Sequence, residues 1–252
     1  MRISSTLWTV ALLALLAAFP LVAPALGLDF YISFVRRVLI YALAATSLNL
    51  ILGYGGMVAL GHAAFFGAGA YAVGILAMSG VTSALVSWPV AMGLAGLLAC
   101  ITGAISLRTR GVYFIMITLA FAQMLFYIFI SLRQYGGEDG LNLPGYSTLP
   151  GIDLANDVSF YYLVLALFAV AMWLFGRVVA SRFGTALQGI RENESRMESL
   201  GYPVYRIKLT AFTLSGAAAG LAGALLANHN LFISPSLMPV SYTHLRAHET
   251  RG

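Results

Sequence analysis

Charge is what this chain has least of: only 9% of its 252 residues are Asp, Glu, Lys or Arg, where a soluble domain carries about 25%. No Asp or Glu falls inside any of the long apolar runs. A membrane-embedded enzyme needs convergent groups at one depth, such as paired carboxylates or a nucleophile with its base, so that shortage argues against one. Lysine is scarcer still. The one Lys208 follows Ile207 and cannot complete the G-x-x-x-x-G-K-[ST] loop whose amides and lysine hold phosphates, which excludes an ATPase. Cysteine is limited to Cys100, inside an apolar run, so no internal disulfide can form and a packing role is expected. The net charge of +5 and pI near 9.5 come from scattered cations at the ends of apolar runs, with no basic patch for nucleic acid.

What is present is apolar length. The chain is 60% hydrophobic with a mean hydropathy of +0.87, the composition of an integral membrane protein. Runs able to cross about 30 Å of hydrocarbon as helix cover Leu7 to Leu26, Met57 to Ser79, Leu85 to Leu107, Val112 to Leu132, Val158 to Phe175 and Leu209 to Ala227, with a shorter one from Val38 to Leu52. Their length and lack of alternation exclude a transmembrane barrel and predict an all-α, polytopic bundle of about seven spans. The first run, with Arg2 before it and Ala23-Pro24-Ala25 near its end, fits a cleaved signal peptide or a retained span. Its length and the span that follows favour retention. The glycines of Gly53-Tyr54-Gly55-Gly56 fit either a broken helix beside a pathway or a tight turn between antiparallel spans.

Placing the amino terminus in the cytoplasm puts nine of the fourteen Lys and Arg inside and three outside, as the positive-inside rule requires. The loop Gly176 to Lys208 is then cytoplasmic. Arg36 and Arg37 are the exception, which fits either snorkelling to the outer interface or a region that is not a simple span. His62 is read as the one ionisable side chain well inside a span, where such a group marks either function or a neutral, hydrogen-bonded packing element. In the cytoplasmic loop, Ala186, Ile190, Met197 and Leu200 share one helical stripe with the charges turned away, an amphipathic helix. Glu192 with Arg196 and Arg191 with Glu194 have the spacing of intrahelical pairs, each worth about 0.2–0.5 kcal/mol, and Gly201 supplies a left-handed stop. The mixture of acids and cations on the polar face suits a protein partner better than lipid headgroups, which favour a basic face. The external loop from Arg133 to Asp157 has four acids without EF-hand spacing, and no metal site is expected there. From about Pro239 the chain turns polar, PVSYTHLRAHETRG, resembling translated sequencing-adapter read-through. Residues 239–252 are therefore read as a non-native tail, and His244 with His248, lacking H-E-x-x-H, as no zinc site.

The string G-x-A-L-x-x-I-R-E-N-E at Gly184 to Glu194, with Leu200-Gly201 and Lys208 to Phe212, resembles the coupling loop of branched-chain amino acid ABC transporter permeases of the LivM type. Asn49 to Gly56, Leu60 to Tyr71, Leu107 to Phe121, Gly136 to Leu141 and Ser215 to Leu225 look like further motifs of that family in the right order. Departures are Met197 and Ser199, where small apolar residues are usual, and the absence of spans after the seventh. The resemblance implies a permease domain over residues 1–238, truncated at its carboxyl end, with a cytoplasmic coupling loop at 177–208. It implies a non-enzymatic, cofactor-free subunit of an importer in the bacterial inner membrane, carrying branched-chain amino acids, with urea, short amides or sugars as alternatives. The implied partners are a homologous second permease, two ABC ATPases and a periplasmic or lipid-anchored binding protein. It places ATPase coupling at Gly184, Ile190, Arg191, Glu192, Asn193, Glu194 and Gly201. Asn49, Gly61, His62, Phe65 and Gln123 are assigned to the translocation pathway or to helix packing.

Overall fold

The computed structural model describes residues 2–22, 29–151 and 153–238, and these form nine α-helices with two short strands. The Ala23-Pro24-Ala25 pattern and the 239–252 tail, with both of its histidines, lie outside the described residues. The helices are α1 (Arg2–Val22), α2 (Asp29–Asn49), α3 (His62–Met78), α4 (Ala84–Ser106), α5 (Val112–Ser131), α6 (Asp157–Ala180), α7 (Arg182–Glu192), α8 (Glu194–Ser199) and α9 (Val204–Asn230). Among the described residues, five helical segments are long and apolar enough to cross a membrane. The helix α3, at 17 residues, is shorter and almost wholly buried, sheathed by its neighbours.

α9 is the central post of the bundle, with α3 and α4 against it and α2 closing a further side. Small residues make that possible. A Cβ at Gly69 of α3 would overlap the Gly220 backbone, one at Gly223 the Phe66 carbonyl, and ones at Gly216 and Gly220 the Ala99 and Ala95 side chains of α4. Where lipid surrounds the helices, such close approach and the dispersion contacts it allows take over from the hydrophobic drive. The Gly216/Gly220 step is thus a packing device, as its spacing suggests. Aromatic side chains fill the rest: Phe212 stands edge-on to Phe65 and Phe114, at centroid distances of 5.6 and 6.3 Å.

At the end of the bundle away from α7, the loop after α5 is tied down. Its strand β1 (Leu141–Asn142) pairs antiparallel with β2 (Phe232–Ile233), and the buried Asn228 side chain of α9 accepts from the Ser147 amide at 2.9 Å. Asn156 caps α6 through the amides of Val158 and Ser159, the usual remedy for unpaired donors at a helix start.

Three expectations change. The second span does not start at Val38; its helix begins at Asp29, because Arg36, the residue that broke the apolar run, is neutralised within the fold. The third does not start at Met57: α2 runs into a π-helical turn at Leu50–Tyr54, and the chain is non-helical from Gly55 until α3 begins at His62. Gly56, at φ +66°, sits in the left-handed region that disfavours other residues. Arg36 does not snorkel. It is 3% exposed, pairs with Asp157 at 2.9 Å, donates to His229 Nδ1 at 3.0 Å and lies 4.5 Å over the Phe160 ring. Arg37 remains exposed and donates to Asn230 at 2.9 Å.

Candidate functional site

The charged insert between α6 and α9 covers one end of the bundle. Ser181 caps α7 by accepting from the Gly184 amide. At Gly184 any Cβ would strike the Val179 backbone, so a glycine is required where α6 turns into α7. The apolar face of α7 is then buried: Ala186, Leu187 and Ile190 are nearly or wholly inaccessible, while Glu192 and Arg191 face outward. α7 rests against α6, α9 and the π-helical turn.

The single amphipathic helix expected here is broken in two. Asn193 adopts an extended backbone, φ −155° and ψ 99°, and its side chain caps α8 by accepting from the Arg196 amide. Asparagine competes well for such a capping role, and the break takes Met197 and Leu200 off the stripe of Ala186 and Ile190. Leu200 is exposed. Gly201 supplies the left-handed stop at φ +82°. Neither expected intrahelical pair forms: the break at Asn193 separates Glu192 from Arg196, and Arg191 and Glu194 bond elsewhere. Arg191 packs its stem over Gly56 and donates to the Gly53 carbonyl. Glu194 pairs with Lys208 of α9 at 2.7 Å and with Arg110, in the turn between α4 and α5, at 3.5 Å; Arg110 also reaches Glu198 at 3.3 Å.

The insert is therefore fastened at three points: by Arg191 to the chain between α2 and α3, by Glu194 to α9, and by Arg110 to the α4–α5 turn. Arg110 and Lys208 were missed as site residues. The signal available was that the one lysine of the chain stands at the edge of a span beside three acids. Between this network and the bundle lies a cavity of about 210 Å³, lined on one side by Leu107, Phe114 and Ile115 and on the other by Arg110, Glu194 and Lys208.

The five pathway candidates do not converge on one cavity. His62 is buried, with Nε2 3.0 Å from the Ser47 hydroxyl of α2, while Ser215 of α9 donates to the Ser47 carbonyl. Its other ring nitrogen, Nδ1, is buried and has no partner among the described residues. Gly61 lies against the Thr118 backbone. It lines with Phe65 a narrow cleft of about 10 Å³ between α3, α4, α5 and α9. Asn49 faces a groove between α2 and α6, shared with Tyr54, Phe175 and Gln188. Gln123 is half-buried on α5 and has no hydrogen-bond partner among the described residues. Among those residues no group of His, Cys, Asp and Glu is placed to hold a metal ion.

Fold and site together define a multi-pass helical membrane protein whose bundle carries a broken, ion-paired surface helix at one end. The chain belongs to the family described as the branched-chain amino acid transport system / permease component, whose model matches residues 30–245. It is 30% identical over 257 residues to the high-affinity branched-chain amino acid transport system permease protein LivM of Escherichia coli, and 29% identical over 261 residues to that of Salmonella typhimurium. Each alignment covers 92% of this chain and 60% of the relative, so the chain spans about 60% of the length of these relatives. No solved structure matches at a significant level.

Proposed function

We propose that this chain is the permease subunit, or the larger part of one, of an ATP-driven importer of branched-chain amino acids in the bacterial inner membrane. Energy enters through the α7–α8 face. The observation that carries this reading is the three-point fastening of the insert: its apolar side is seated on the bundle, its charged side is open, and each of its ties ends on a different membrane helix or turn. With no phosphate-binding loop of its own, the chain takes its energy from partners, two ABC ATPases. ATP-driven closure of those partners displaces α7, and the push passes through Arg191 to the π-helical turn and through Glu194 to α9. The helix α9 contacts α2, α3 and α4 together, so moving it repacks the bundle between outward- and inward-open states.

On this reading α7, α8 and the amino terminus are cytoplasmic, as the clustering of Arg108, Arg110, Arg177, Arg182, Arg191, Arg196, Arg206 and Lys208 on that side supports. Residues 1–238 act as the permease domain, with 177–208 as its coupling loop, and the β1–β2 end faces a periplasmic or lipid-anchored binding protein. A homologous permease supplies the other half of the pathway. The names of the relatives support branched-chain amino acids as cargo. Photo-crosslinkers placed at Arg191 or Glu194 test the coupling reading in the assembled complex. The expected result is an adduct to an ATPase subunit; crosslinks only to lipid or to the permeases would contradict it.

A further inference from the structure

We propose that the cavity beneath the α8 network is a binding site for a free zwitterionic amino acid with an aliphatic side chain, approached from the coupling-loop end. The proposal rests on the transport reading above. The cavity is two-faced. Leu107, buried Phe114 and Ile115 form an apolar wall, and Arg110, Glu194 and Lys208 form an ionic one. Its volume of about 210 Å³ is below the roughly 300–1,000 Å³ of pockets that hold drug-sized ligands, which suits one small metabolite.

Charge balance selects the class. The network of Arg110 and Lys208 with Glu194 and Glu198 is already neutral. Arg110 and Glu198 are wetted by solvent, but Lys208 and Glu194 are only 15% and 27% exposed, so an anion or a cation that displaced one of them from the other would leave a sheltered charge unpaired, which is costly where water is scarce. A zwitterion adds no net charge. Its carboxylate replaces Glu194 as acceptor for Arg110 and Lys208, its ammonium takes the carboxylates they release, and its side chain meets the apolar wall. A charged side chain would face Phe114 and Ile115 with no partner.

The position gives the site a consequence. Its ionic wall consists of the ties that fasten α8 to α9 and to the α4–α5 turn, so an occupant bridges the parts that coupling moves against one another. Amino acid accumulating on that side then holds the loop and slows the cycle, a product brake.

The assembled permease–ATPase complex, without binding protein, is irradiated with photo-leucine, and the labelled peptides are identified. Labelling is expected on the segment containing Leu107, Phe114 and Ile115. Leucine should compete at least tenfold better than 4-methylpentanoate, which lacks the ammonium, 3-methylbutylamine, which lacks the carboxylate, or lysine. Ile115→Trp, which fills the cavity, should weaken labelling at least tenfold. Labelling confined to other segments, or equal competition by the two half-molecules, would overturn the site, and the competition series stands even where Ile115→Trp does not assemble. The same complex is assayed for leucine uptake with its binding protein. Uptake without this labelling overturns the site alone, whereas absence of uptake overturns the transport reading beneath it.

Discussion

Arg36 lies roughly two helical turns into α2, within the segment Phe30–Tyr54 that is long and apolar enough to cross a membrane. It is tolerated because Asp157, His229 and the Phe160 ring surround the guanidinium. Removing it by Arg36→Ala leaves His229 unpaired and a gap among α2, α6 and α9. Asp157 is 60% exposed, so water takes over its charge and the loss stays below that of a fully buried pair. A destabilisation of about 1–3 kcal/mol is expected, read as a lower thermal midpoint in detergent; an unchanged midpoint would show the cluster to be incidental. At Gly220 the argument is steric. Gly220→Val would drive a branched side chain into the Ala95 side chain and the Ala91 carbonyl of α4, and overpacking of this kind costs about 1–3 kcal/mol. Gly93, which has open space around it, is the control: Gly93→Ala should leave the midpoint unchanged or raised.

At the scale of elements, the joint between α7 and α8 is the informative one. Asn193→Ala removes the cap of α8 and should cost about 1 kcal/mol, seen as faster amide hydrogen exchange over residues 194–199 with α7 unaffected. Uniform exchange across both helices would instead mean that they behave as one. For the Glu194–Lys208 pair, a double-mutant cycle with Glu194→Gln and Lys208→Met should return a coupling of about 1 kcal/mol. On the proposed coupling reading, binding-protein-stimulated ATPase activity of the assembled complex should fall in either single variant while the basal rate persists. The charged character of this insert and its left-handed end at Gly201 were legible because glycine, proline and charge are local signals. The break at Asn193 was not, since the 3.6-residue period carries on through it and only the capping geometry ends the helix. The ion pairs were misassigned for the same kind of reason: spacing along the chain proposes Glu192–Arg196 and Arg191–Glu194, but Lys208, Arg110 and the Gly53 carbonyl arrive from elsewhere in the fold.

Across the whole molecule, the helical bundle was readable from apolar run length, and its tight centre from the glycines of α3 and α9. The start of α2 was not, because a hydropathy window cannot see that Arg36 is paired with Asp157 of α6 and hydrogen-bonded to His229 of α9. Nor could the sequence place Asn49, Gly61, His62, Phe65 and Gln123. They are scattered through the described bundle, and on the proposed reading a second permease subunit supplies the other walls of the pathway. Cargo and coupling therefore have to be tested on the assembly. The most direct measurement is uptake into proteoliposomes holding this chain with the proposed partners, a second permease, two ATPases and a binding protein. ATP-dependent accumulation of radiolabelled leucine, isoleucine and valine, abolished when the binding protein is omitted, is the expected result. Accumulation of urea, short amides or sugars in their place, or leucine entry independent of ATP, would contradict it.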